Sequence, residues 1–167
     1  MRRIHSTALA FTSCLALLFL AAAGATAQGS SPIVGTWAPV SFDNTQPDGT
    51  HVQQFGPHPV GMLIFTPDGR FSQVEANPDL PKFAVNNRNN GSDAENKAVV
   101  QGSFAYFGTY TTDPANTTLT LHITGATFPN WNGIDQTRPF SVQGDTLTFT
   151  VRASVGGTTV AVWKRVH

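Results

Sequence analysis

From Val34 onward, apolar and polar residues change places at almost every step. In Thr118-Leu119-Thr120-Leu121-His122-Ile123 and again in Thr146-Leu147-Thr148-Phe149-Thr150-Val151 the period is two, which puts alternate side chains on opposite faces of a β-strand. The same pattern, rich in Val, Thr and Phe, predicts strands over 34–42, 51–55, 62–66, 70–75, 104–112, 118–126, 137–143, 146–152 and 158–165. Turn sequences separate most of them: "QPDG", "TPDG", "DPAN", "QGD" and "VGG". Such short connections make neighbours in the chain neighbours in space, an up-and-down antiparallel meander.

One connection, Ala76 to Ser103, is too long to be a turn. Its first half reads as loop, and Ser92 three residues ahead of Glu95 is a capping box that starts one short helix. Two roles are open for it: flanking or plugging a barrel end, or acting as a lid over the mouth. Nine short strands in a small domain must hide their edges, and closure into a barrel does this best. The expected fold is all-β, an up-and-down antiparallel barrel of about eight or nine strands. Such a barrel is either filled by side chains or holds one small ligand.

The residues before this pattern differ in kind. Arg2 and Arg3, an apolar run from Leu15 to Ala23 and the small-x-small end Ala25-Thr26-Ala27 read as a secretory signal over 1–27, cut after Ala27. That leaves one domain over 28–167 and a secreted or periplasmic location. The only cysteine, Cys14, leaves with the signal, so the mature chain is expected to rely on its packed core. It carries eight Lys and Arg against ten Asp and Glu, with the charges spread singly. This balance argues against nucleic acid as a partner. No metal-ligand spacing, nucleophile motif or phosphate loop is present, and no cofactor is implied.

"IVGTWAPVSF", "GPHPVGMLIFTPDGRFS", "AYFGTYTTD", "TLTLHITGATFPNWNGIDQTR", "GDTLTF" and the closing "VWKR" together resemble the lipocalin-like domain family over nearly the whole mature chain. That resemblance implies a lipocalin-type barrel and leaves the activity open. Gly35-x-Trp37 is similar to the Gly-x-Trp signature of lipocalins, in which an Arg or Lys of the last strand lies over the indole. Arg165 is the matching candidate, and both residues are expected to be structural. Pro39 and Pro139 stand where ordinary strand residues belong.

Alternation also sorts the faces. Tyr106 with Tyr110, Leu63 with Phe65, and Phe71 with Gln73 and Glu75 point inward; His122 falls on the outward Thr face. After "NWNGID" the chain enters a strand on which Arg138, Phe140 and Val142 share the apolar face, so Arg138 points into the barrel. A buried guanidinium requires a partner, and the candidates are Glu75, helped by the hydroxyls of Tyr106 and Tyr110, or the anionic head of a ligand. Trp131 is expected at the rim. Three readings stay open. One is a barrel that binds a small hydrophobic or amphiphilic ligand through Arg138, Tyr106, Tyr110, Glu75, Phe65, Phe140 and Trp131. Another is a small barrel enzyme using Tyr106, Tyr110, Glu75 or His122 as acid or base. The third is a filled structural barrel.

Overall fold

The computed structural model describes residues 31–167; residues 1–27, read above as a signal, lie outside the described residues. Nine strands form: β1 (Gly35–Thr45), β2 (His51–Gln53), β3 (Val60–Phe65), β4 (Arg70–Ala76), β5 (Ser103–Thr112), β6 (Thr118–Ala126), β7 (Asp135–Gln143), β8 (Thr146–Arg152) and β9 (Thr158–Val166). Each strand predicted from alternation is present. One helix, α1 (Asp93–Gly102), starts where the capping box places it: the Ser92 hydroxyl accepts from the Glu95 N–H and the Glu95 carboxylate accepts from the Ser92 N–H.

The strands follow chain order from β3 to β9, and β1 pairs with both β3 and β9. The antiparallel sheet therefore closes into an eight-stranded barrel. The ninth strand, β2, pairs only with Asp43–Thr45 of β1, beyond the stretch Gly35–Trp37 that pairs with β3. Residues 54–59 separate β2 from β3, and Phe55 among them is buried against Phe42. Pro39 sits at a bulge in the β1–β9 ladder, where the register shifts between Pro39 and Ser41. A missing N–H is tolerated at such an irregularity.

One barrel end is sealed. The Trp37 indole donates to the Ile33 carbonyl at 2.9 Å, and the Arg165 guanidinium lies 4.1 Å from the Trp37 ring centroid. Arg165 also donates to the Val34 and Pro32 carbonyls at 2.8 Å each, tying the incoming chain over the plug. Gly35 is what permits this. Its φ is +139°, and a Cβ there would stand 2.6 Å from Arg165 Nη1. Above the plug, Phe65 meets Tyr110 edge-on at 4.8 Å, and the Tyr110 hydroxyl donates to the Thr66 carbonyl at 2.9 Å. Gly108 serves the wall: the β5–β6 register shifts beside it, and a Cβ at that position would lie 2.0 Å from the His122 carbonyl oxygen.

The long connection is tied at its base, where the Asn77 N–H donates to the Gly102 carbonyl at 2.8 Å. Glu95 accepts from the Ala84 N–H at 2.7 Å and binds the loop to α1. The helix buries only Gly102 and flanks the barrel.

Gly35→Ala should lower stability by about 1–3 kcal/mol, since it combines a strained φ with displacement of Arg165. Arg165→Met, which keeps a flexible chain over the indole and removes the charge and hydrogen bonds, should cost about 1–2 kcal/mol. Urea unfolding checks both; a loss below about 0.5 kcal/mol in each would show that the stack does not hold this end closed.

Candidate functional site

The other barrel end carries the charged side chains found in the core of the described residues. Among the described residues, Arg138 of β7 and Glu75 of β4 are buried to 2% and 4% exposure. They line a cleft of about 40 Å³ just inside the mouth, with Gln73, Tyr106, Phe104, Trp131, Phe42, Phe55 and Phe149 among its walls. Space of that size holds a few water molecules.

Arg138 and Glu75 do not form an ion pair. Instead a directed chain of hydrogen bonds joins them across three strands. Arg138 Nη1 donates to the Tyr106 hydroxyl at 3.3 Å, and that hydroxyl donates to Gln73 Oε1 at 2.7 Å. Gln73 Nε2 then donates to Glu75 Oε2 at 2.8 Å. Alternation creates the arrangement: Gln73 and Glu75 are two apart on β4, and Tyr106 stands opposite Gln73 across the β4–β5 ladder. Arg138 Nη2 donates to Gln136 Oε1, its neighbour on the inner face of β7. The Phe149 ring lies 5.2 Å beneath the guanidinium carbon. Arg138 Nε has no partner.

The electrostatics follow from burial. Loss of water pushes the Glu75 carboxyl up to about 8, against the pull of the Gln73 amide and of the Arg138 charge. Burial likewise pushes the Tyr106 phenol up to about 12. At neutral pH Glu75 is therefore mostly protonated and Tyr106 neutral. The Arg138 charge is solvated by neutral dipoles and an aromatic face, and no carboxylate among the described residues cancels it.

Of the residues singled out in the sequence, the structure brings together Arg138, Tyr106, Glu75 and Trp131 at this cleft. Trp131 meets Phe104 and Tyr106 edge-on at 4.9 and 5.5 Å, forming one side of the rim. Three others stand apart from it. Phe65, Tyr110 and Phe140 are buried on the inner face but are not among the residues that line the cleft. The direct Arg138–Glu75 contact is replaced by the relay. No residue of 77–102 lines the cleft. His122 is on the outer face, 2.8 Å from Asp135. Gln73 and Gln136 were not among the candidates; an inward-facing amide two residues from a buried charge is the signal that would have found them.

Because folded Glu75 holds its proton up to about pH 8 while the unfolded side chain releases it near 4.5, its contribution to stability is full below about pH 4.5 and declines as pH rises toward 8. Glu75→Gln should therefore raise stability by about 1–3 kcal/mol at pH 8 and change little at pH 4. Thermal unfolding of both proteins across that range checks it. A parallel pair of curves would show that Glu75 is not held neutral.

The lipocalin-like domain model matches residues 34–166. Among solved structures, a lipocalin-like protein from Bacteroides uniformis is 14% identical, with 80% of this chain and 98% of that one aligned and a TM-score of 0.44. A redesigned β-barrel is 15% identical over 84% of this chain and 96% of its own, with a TM-score of 0.42. No functionally curated protein matches the sequence. With a closed meander barrel and a family match that runs from just before its first strand to the end of its last, the chain belongs to the lipocalin-like domain family.

Proposed function

We propose that this protein binds a small amphiphile with an anionic head, most simply a carboxylate, and that Arg138 holds the head. The observation that carries this reading is the buried Arg138 charge with no carboxylate partner and a free Nε donor at the edge of an aromatic-lined cleft. A guanidinium presents a planar fork that suits a carboxylate. A protein with no use for the charge gains by replacing it with an apolar side chain. Protonated Glu75 leaves the cleft with net positive charge, which suits an anion. The signal-like residues 1–27 support a secreted or periplasmic carrier or scavenger. As an acid or base near neutral pH, Tyr106 is poorly suited: its pKa is far from that range, and its proton is committed to Gln73.

Titration calorimetry with decanoate, and with uncharged decanamide as the control, tests the reading at pH 7. Wild type should favour decanoate. Arg138→Leu should lose at least about tenfold in decanoate affinity without losing thermal stability, since removing an uncancelled buried charge relieves the core. Decanoate affinity should also fall above about pH 8, where Glu75 becomes negative, and Glu75→Gln should remove that fall. Equal binding by folded Arg138→Leu would end the reading.

A further inference from the structure

Between β7 and β8 the ladder of the barrel wall stops short. β7 and β8 pair only from Phe140 with Phe149 to Gln143 with Thr146. Toward the mouth both strands continue, β7 paired with β6 as far as Asp135 and β8 paired with β9 as far as Arg152. The edges that face each other there, residues 135–139 and 150–152, make no pairs. Pro139 supplies the reason. The Phe140 N–H donates to the Thr117 carbonyl at 2.9 Å, on the β6 side. Backbone groups alternate sides along a strand, so the nitrogen of residue 139 faces β8, and proline has no hydrogen to give. The ladder ends at that position.

The two strands part into a gap of about 270 Å³, lined by Trp131, Thr137, Val151, Arg152 and Ala153 among others, with Arg138 at its inner end. Thr137 and Arg152 belong to the outer face and are exposed. Trp131, Arg138, Val151 and Ala153 also line the inner cleft. Arg138 is thus the partition between a space of about 40 Å³ inside the barrel and one of about 270 Å³ that opens through its side. An amphiphile whose head reaches Arg138 finds little room inward, where Phe42, Phe149 and Trp163 fill the barrel. Its room lies in the gap, beside an indole, Val151 and Ala153, with Arg152 at the surface to attract an anion.

We propose that the gap between β7 and β8 is the entry and the seat of the ligand's apolar body, so that the ligand class is an elongated anionic amphiphile lying across the barrel wall with its head drawn in to Arg138. This rests on the head-group reading above. It adds that Pro139 is a specificity determinant through the opening it maintains.

The test compares decanoate with butyrate, which carries the same head and almost no tail, in wild type, Pro139→Val and Thr137→Trp. Valine restores the missing N–H and should let the ladder extend. Tryptophan at 137, on the outer face, obstructs the gap from outside and serves if Pro139→Val fails to fold. Wild type should bind decanoate at least about tenfold tighter than butyrate. Each variant should lose most of that advantage while its butyrate affinity stays within about twofold. If folded Thr137→Trp keeps the full preference for decanoate, the body lies elsewhere and the gap proposal is overturned, while an Arg138-dependent butyrate affinity would leave the head-group reading standing. If wild type binds neither acid, the head-group reading fails and this proposal with it.

Discussion

The β1–β9 ladder runs from Thr36 paired with Val166 to Thr45 paired with Thr158, and it turns an open meander into a closed wall. Closure removes the sheet's free edges and gives every alternate residue an interior it cannot leave. From that constraint come both the sealed end, where Gly35 makes room for Arg165 over Trp37, and the unusual mouth. A charged residue on the inner face of a closed barrel must be satisfied by what the neighbouring strands present at the same height. For Arg138 these are a phenol from β5 and an aromatic ring from β8, with an amide from its own strand.

The relay from Arg138 through Tyr106 and Gln73 to Glu75 connects two ionisable groups without letting them neutralise each other. Every hydrogen bond in it donates toward Glu75, so the carboxyl is the terminal acceptor and Arg138 keeps a donor in reserve at Nε. Burial that raises the Glu75 pKa also preserves the positive character of the cleft. The stretch of wall that opens beside Pro139 ends at the same guanidinium. Charge, free donor and access converge on one side chain.

Much of this fold was legible in the sequence because alternation is a local signal. It placed the strands, assigned Arg138 and Glu75 to the interior and His122 to the exterior, and the Ser92–Glu95 box placed α1. Alternation gives a residue's face but not its height along the barrel axis. That is why Tyr110, Phe65 and Phe140 can be inward without lining the cleft. The partner of Arg138 depends on the registers of β4, β5 and β7 relative to one another and on the reach of four side chains, none of which a single strand's pattern encodes. Pro139 stood out as an anomaly, but its meaning needed the Phe140 N–H direction to show which neighbour loses a bond.

The most direct measurement is the NMR signal of the Arg138 side-chain Nε–H, assigned by its loss in Arg138→Leu and followed as decanoate is added at pH 7. If Arg138 receives the head group, this resonance should shift downfield and its hydrogen exchange should slow in step with saturation. Saturation observed elsewhere in the protein with the Arg138 Nε–H unmoved would contradict the account.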